Sequence, residues 1–461
     1  MYETRLERIP SVVDVPESTV GPLRVIVLAD SDTRWKWGAL TARRIAPGAR
    51  LDGRLLRGRA TPTARQLAEV GIPADSLREV TATAFLDEMK GEADTSPDTS
   101  PAAADVLILS CVGGTVQALL HGLARAWCGA PGRPVVVTGY VGVVYEKLAD
   151  GLLLRAGADL VLANSAHDAE RFREVYSGVG AAAAADSVVE TALPFLEGAP
   201  YEPSPDRPFT VVFAVQPSVP DNRADRTYLL RRAVEHARSH PGREVLVKLR
   251  SKPGEQTTHI EEQPYQKLVA KLDPPPNLQL VYGHMGEVLD RTDLLVTVSS
   301  TAALEALHRA IPTAVLTDLG IREPLGNHHF LGSGAYASWD QLDAGLVPQA
   351  DPAWARTHGV AAAGDPFGAV RDRVTALAGA AELPPLAPYY TPGIAPGYLP
   401  GVLARHGLDP KGEPLPGTAT ATGAESAAPG ALSRLARHAA RTAYRQGVQR
   451  VAPVIRRWGQ L

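Results

Sequence analysis

Short runs of apolar residues, many of them β-branched, alternate along most of the chain with segments whose apolar positions recur every three or four residues. The runs are continuous rather than alternating, which is typical of strands buried on both faces of a parallel sheet. Strands are predicted at 23–29, 105–110, 134–138, 159–163, 209–215, 244–249, 278–282, 293–299 and 313–317, and helices at 115–127, 166–176, 225–239, 264–272, 285–291 and 301–309. This alternation predicts an α/β fold with parallel sheets.

A segment rich in proline, glycine and charge, residues 196–208, interrupts the alternation once and is predicted to be a hinge. The predicted organisation is an N-terminal extension (1–22), a first Rossmann-like domain (23–195), the hinge, a second Rossmann-like domain (209–380), a flexible Pro/Gly/Ala-rich linker (381–430) and a basic tail (431–461). Two separately wound halves imply a central cleft, because ligands of such sheets bind beyond the carboxyl ends of the strands.

Composition narrows the class of protein. With 45% hydrophobic and 21% charged residues among 461, the chain has the make-up of a globular protein. Only two cysteines are present, no apolar run is long enough to span a membrane, and residues 1–22 lack the apolar core of a signal peptide. These features predict a cytoplasmic protein.

Charge is distributed unevenly. The formal net charge is −3, yet residues 431–461 carry seven arginines and no acid, so the rest of the chain sums to −3 − 7 = −10. An acidic body argues against nucleic-acid binding. In the tail, the apolar positions of 431–445 share one helical face and the arginines the opposite one, which predicts a helix that lies on an anionic membrane surface. The alternative is that the tail docks on the acidic body.

The most informative segment is 292–316, which predicts a buried strand, a turn made of Ser299, Ser300 and Thr301, and a helix that carries Glu305 about one turn from its start. Backbone N–H groups at the start of such a helix suit a phosphate, and the carboxylate suits a ribose diol. The alternative is an ordinary helix cap followed by a solvated glutamate.

The sequence from Ser299 to Leu307, SSTAALEAL, resembles the donor-site segment of GT-B-fold bacterial glycosyltransferases, especially the capsule-polysaccharide and polysialyltransferase-like group. Uncharacterised actinobacterial glycosyltransferases have a similar composition. The resemblance implies that the turn holds the phosphates and Glu305 the ribose of a nucleotide-sugar donor. It also implies transfer to a cell-surface glycan or lipid-linked acceptor, with no metal and no cofactor besides the donor substrate.

Cations follow the predicted strand 244–249. Lys248, Arg250 and Lys252 stand at alternate positions, so all three are predicted to share one face and to meet one anion. The resembling family has a Lys-x-His-Pro motif here, which this chain lacks. The alternative is a basic strand edge that prevents aggregation. His284, in the loop after strand 278–282, is a further candidate contact to the nucleotide.

Candidate acceptor residues follow strands of the first half. Asp30 and Asp32 are candidate general bases that would deprotonate an acceptor hydroxyl. The acceptor site is predicted to include Trp35, Lys36, Trp37, Gly139, Tyr140 and Glu146, with the two tryptophans exposed for stacking on sugar rings. The alternative is that Asp30 caps the next helix and the tryptophans pack against its side.

The sequence lacks the motifs of several other enzyme classes. It has no G-x-G-x-x-G after its first strand, no Walker-type phosphate loop, no G-x-S-x-G elbow and no zinc pattern. Two alternatives to glycosyl transfer stay open. One is a nucleotide-sugar 2-epimerase of the same fold. The other is a non-catalytic, membrane-associated scaffold with a degenerate nucleotide site.

Overall fold

The computed structural model describes residues 23–58, 60–93, 104–130, 132–143, 148–250, 252, 263–361 and 364–415. Glu146, the N-terminal extension and the basic tail lie outside the described residues, so the predictions made for them stay predictions. In the described part, no helix combines the length and the apolar character that crossing a bilayer requires.

The first half of the chain forms a seven-stranded parallel sheet in the order β3-β2-β1-β4-β5-β6-β7. Its strands are β1 Arg24–Ala29, β2 Arg50–Leu56, β3 Ser76–Val80, β4 Val106–Ser110, β5 Val135–Gly139, β6 Leu160–Ala163 and β7 Val188–Glu190. Its helices are α1 Asp32–Ile45, α2 Ala64–Val70, α3 Ala82–Ala93, α4 Gly113–Ala126, α5 Leu148–Leu153, α6 Ala166–Gly178 and α7 Ala182–Asp186.

The second half forms a six-stranded parallel sheet in the order β10-β9-β8-β11-β12-β13. Its strands are β8 Thr210–Ala214, β9 Glu244–Lys248, β10 Leu278–Val281, β11 Leu294–Thr297, β12 Thr313–Leu316 and β13 Tyr336–Ala337. The helices are α8 Arg223–Ser239, α9 Tyr265–Val269, α10 Met285–Leu289, α11 Ala302–His308, α12 Trp339–Asp343, α13 Pro352–Thr357, α14 Gly368–Ala378 and α15 Leu399–Ala404, with 3-10 turns at Glu323–Leu325 and Asn327–Phe330. The predicted two-sheet α/β fold is confirmed.

The chain returns to the first half after its second sheet. Helix α14 packs against α1 and β7, and Arg371 on α14 donates to the Arg44 carbonyl oxygen at 3.1 Å. Leu399, Val402 and Leu403 of α15 are buried in the core of the first half, against α4. The prediction of a flexible linker is therefore wrong for 383–415. This segment contains many prolines, which are typical of a linker, but it also contains the short helix α15, whose apolar residues recur at helical spacing.

Candidate active site

The carboxyl ends of the two sheets face each other, and residues that follow these ends meet. Arg250, after β9, donates from Nη2 to Asp32 Oδ1 at 2.9 Å, after β1. Gly142, after β5, lies so close to Thr301, after β11, that a Cβ at Gly142 would stand 2.9 Å from the threonine hydroxyl oxygen. The predicted cleft is thus a seam in which the two halves touch.

At the centre of this seam, Lys36 on α1 faces Glu305 on α11. Lys36 Nζ is 3.9 Å from Glu305 Oε2, and the two side chains are only 18% and 13% exposed. Burial raises the pKa of Glu305, while the cation of Lys36 opposes that rise. Lys36, predicted in the acceptor site, therefore contacts the predicted ribose-binding carboxylate instead.

The turn before α11 is held by hydrogen bonds. Ser299 is fully buried; its hydroxyl donates to the Leu325 carbonyl oxygen at 2.6 Å and its amide to Gln216 Oε1 at 3.1 Å. Ser300 Oγ accepts from the Ala302 amide at 3.2 Å, and Thr301 makes no capping hydrogen bond. A direct phosphate contact by Ser299 is contradicted by its burial, whereas Ser300 and Thr301 are partly exposed at the seam.

The three cations near β9 do not converge as predicted. Lys248, 7% exposed, is the last strand residue and donates from Nζ to the Leu249 carbonyl oxygen at 2.9 Å. Arg250 turns toward Asp32, and Lys252 lies 5.9 Å from the centroid of the Tyr282 ring. The prediction of a shared face is wrong because the strand ends at Lys248, after which the side chains no longer alternate.

Lys248 and His284 add charge beside Glu305. Burial lowers the pKa of Lys248 to about 8, although Glu69 and Glu305 both pull it up. Burial also lowers the pKa of His284, and Lys36 and Lys248 lower it further. Glu305 thus lies in a group with two lysines and a histidine whose pKa is depressed.

Asp30 lies beside a cavity of about 640 Å³ in the first half. Its Oδ1 accepts from Arg34 Nη1 at 3.0 Å and its Oδ2 from the Val112 amide at 2.9 Å. The cap of α1 is Ser31, not Asp30. Asp32 instead lies in the seam with Arg250, so the two candidate bases occupy different surroundings.

The predicted exposure of the two tryptophans is wrong. Trp35 and Trp37 are each 1% exposed. A Cβ at Gly53 would collide with the Trp35 ring, and a Cβ at Gly139 would stand 2.9 Å from the Trp37 ring. Gly139 therefore makes room for a core tryptophan, and these three residues do not form an acceptor wall.

Tyr140 is also occupied within the protein. Its ring lies 4.1 Å from the guanidinium carbon of Arg155, and its hydroxyl donates to the Leu148 carbonyl oxygen at 3.4 Å. Burial raises the pKa of the Tyr140 hydroxyl. The structure thus places Tyr140 in packing contacts rather than at a free surface.

Sequence reasoning missed the part of the site that the segment after α15 supplies. Arg405, His406 and Gly407 line the cavity beside Asp30, together with Arg57 and Thr115. The sequence could not place Arg405 and His406 at this site, because they are far along the chain from the first half and reach it only because α15 packs on α4. Thr115 could have been found from the sequence, since it follows a predicted strand and two glycines.

One group in the described residues has the composition of a metal site: His236, His240 and Asp343. Nδ1 of His236 is 2.5 Å from Asp343 Oδ1, and its Nε2 is 3.2 Å from a nitrogen of Arg243. Arg232 also pairs with Asp343, at 3.0 Å. Because guanidinium groups already surround these ligand atoms, we interpret the cluster as a structural network.

Two facing parallel α/β halves, with buried charge at the seam, define the GT-B class of fold. The family model described as "Putative glycosyltransferase (DUF6716)" matches residues 25–377. The chain belongs to this family, and the family supports glycosyl transfer in general. No curated protein matches the chain.

Solved structures with a similar fold include enzymes of two kinds. The UDP-GlcNAc 2-epimerase from Neisseria meningitidis bound to UDP-GlcNAc is 11% identical, with a TM-score of 0.43 over 77% of this chain and 99% of that one. The glycosyltransferase SnogD from Streptomyces nogalater is 16% identical, with a TM-score of 0.40 over 77% and 99%. MurG of Acinetobacter baumannii is 14% identical, with a TM-score of 0.40 over 77% and 99%.

Proposed function

We propose that this protein transfers a sugar from a nucleotide-activated donor to an acceptor hydroxyl, with the donor bound at the seam. The observation that carries the proposal is the buried pair of Glu305 and Lys36, which joins the carboxyl edges of the two sheets. Ligands of doubly wound sheets bind at this edge. A buried carboxylate beside cations from both halves matches a ligand that carries hydroxyls and phosphates.

In this proposal Glu305 accepts hydrogen bonds from the ribose hydroxyls, and its contact with Lys36 gives way when the nucleotide enters. Ser300 and Thr301 donate their hydroxyls to the phosphates. Lys248 and Arg250 lie near enough to the seam to oppose the charge that develops on the leaving phosphate. These protein groups supply the stabilisation that the absent Lys-x-His-Pro motif would give.

Asp30 is the better of the two candidate bases because it borders a cavity that can hold an acceptor, whereas Asp32 does not line this cavity. Arg34 and the Val112 amide fix the orientation of Asp30. In the reaction, Asp30 takes the proton of the acceptor hydroxyl. That oxygen forms a bond to the anomeric carbon as the bond from this carbon to the phosphate oxygen breaks, and the nucleotide leaves with the electron pair.

The donor proposal is tested by thermal unfolding in the presence of CMP, UDP, GDP, TDP and their sugars. A ligand at 100 times its dissociation constant stabilises the fold by about 2.7 kcal/mol. We expect one nucleotide to stabilise the wild type, and we expect Glu305→Gln to lose that response. Glu174→Gln, which removes an exposed carboxylate on α6, is the matched control and should keep it.

Thermal unfolding separates the scaffold from a transferase, and incubation of a nucleotide sugar without acceptor separates the epimerase. An epimerase would bind a nucleotide sugar and change the configuration of its sugar with no acceptor present. A scaffold would respond to none of the nucleotides, which would overturn the donor proposal.

We propose that the acceptor is a glycan or is linked to a lipid. We also propose that the tail (431–461) associates with anionic membranes, because it carries seven arginines. Flotation with anionic liposomes tests the membrane part. The full chain should float and a chain ending at Gly430 should not. Equal flotation of the two would contradict the proposal.

A further inference from the structure

The cavity beside Asp30 is built where four neighbouring strands of the first sheet end. Its wall includes residues after each of β1 to β4, and the residues after α15 close its side. At about 640 Å³ it has the volume of a small-molecule site. Leu56 and Ala82 contribute an apolar part of the wall that the flat face of a sugar can contact.

The charge of the wall is mainly positive. Three arginines line it: Arg34, Arg57 and Arg405. Arg34 is neutralised by Asp30. Among the described residues, the ion pair of Arg57 is a long contact of 3.5 Å to Glu79, in which both side chains are more than half exposed, and such exposed pairs are weak. For the exposed Arg405, the described residues supply no ion-pair partner.

His406 and Thr115 supply further polar groups. Burial lowers the pKa of His406, although Asp30 raises it, so the imidazole is a hydrogen-bonding group rather than another fixed charge. Thr115 is only 5% exposed and borders the cavity. Within the described part of the chain its hydroxyl has no hydrogen bond, and it is open to the cavity rather than closed off from solvent. A ligand in the cavity would satisfy it.

We propose that this cavity binds an anionic group of the acceptor, a phosphate or a carboxylate, through Arg57, Arg405 and Thr115. The inference rests on the proposed glycosyl transfer and names the class of its acceptor. The anion lies between the arginines, and the neighbouring hydroxyl of the same acceptor lies against Asp30. A neutral acceptor would form no ion pair with the two arginines.

Binding of small probes, with no nucleotide present, tests this directly. We would titrate pyrophosphate, glucuronate and glucose into the full chain by calorimetry. We expect at least one of the two anions to bind and glucose to bind at least tenfold more weakly than that anion. Pyrophosphate against glucuronate distinguishes a phosphate-bearing acceptor from a carboxylate-bearing one.

Variants then locate the binding site. Arg57→Gln combined with Arg405→Gln should weaken anion binding at least tenfold, and Thr115→Val should weaken it less. Arg231→Gln, which changes an exposed arginine on α8, should have no effect. Lys248→Met should weaken any pyrophosphate binding at the donor seam and leave unchanged the anion binding that depends on Arg57 and Arg405.

The proposal is overturned if no anion binds, if glucose binds as well as the anions, or if the arginine variants bind the anions like the wild type. Loss of anion binding in Lys248→Met alone would assign the anion to the donor seam and would also overturn it. Because these titrations contain no nucleotide, their failure is separate from a failure of the donor proposal, which Glu305→Gln reports.

Discussion

At the residue scale, Lys248 shows how the position of a side chain in the fold changes its pKa. Lys248 is the last residue of β9 and is buried, whereas Arg250 and Lys252 follow the strand. Burial brings its pKa to about 8, close to physiological pH. Sequence could predict that cations lie near the seam, but not which of them would be buried.

Nucleotide affinity should therefore fall as the pH rises through about 8. Burial disfavours the cation of Lys248 in the free protein, and a bound phosphate favours it, so binding requires a proton that is lost above this pH. Between pH 7 and pH 9 we expect the affinity to fall by up to about tenfold. Calorimetric titration with the nucleotide identified by thermal unfolding measures this.

Lys248→Arg provides the matched control, because a guanidinium stays charged over this range. Its nucleotide affinity should change little between pH 7 and pH 9. The same decline in Lys248→Arg as in the wild type would show that another group is responsible.

At the scale of elements, the sequence predicts well the strands that consist mainly of apolar residues, such as β1, β4 and β6. The sequence does not predict β2, because charged residues are not typical of a buried strand. Asp52 is buried there because hydrogen bonds from Ser76, Arg24 and Arg50 outweigh the effect of burial and lower its pKa to about 2. Such pairing depends on residues far apart in the sequence. The very short strands β7 and β13 offer too few positions for a pattern.

The packing of α1 on β5 gives a prediction at this scale. Trp37 occupies the space that Gly139 leaves open, so Trp37→Ala should cost about 3–5 kcal/mol of unfolding free energy. Trp37→Phe should cost much less, since the indole N–H has no hydrogen-bond partner among the described residues. Denaturant unfolding of both variants measures this. Equal stability of Trp37→Ala and the wild type would contradict the core role of the tryptophan.

At the scale of the whole molecule, the site depends on two halves that meet at their carboxyl edges and on α14 and α15, which return to the first half. Sequence periodicity predicted the halves and the motif around Glu305. It could not predict the contact between Lys36 and Glu305 or the position of Arg405, because both follow from how the halves are placed against each other.

Close contact across the seam should be sensitive to one methyl group. An alanine at position 142 would press its Cβ against the Thr301 hydroxyl at 2.9 Å, so Gly142→Ala should separate the edges slightly and weaken nucleotide binding severalfold. Gly114→Ala is the control, since its Cβ would stand 4.0 Å from the nearest atom, a carbon of Val402. Unchanged nucleotide affinity in Gly142→Ala would argue against a closed seam around the ligand.

Hydrogen exchange measured by mass spectrometry, with and without each nucleotide of the panel, tests the central claim most directly. If the nucleotide binds at the seam, amides in 281–289 and 297–308 should exchange more slowly in its presence, because they flank His284 and Glu305. Protection elsewhere with none in these two segments, or no change with any nucleotide, would contradict the placement of the donor at the seam.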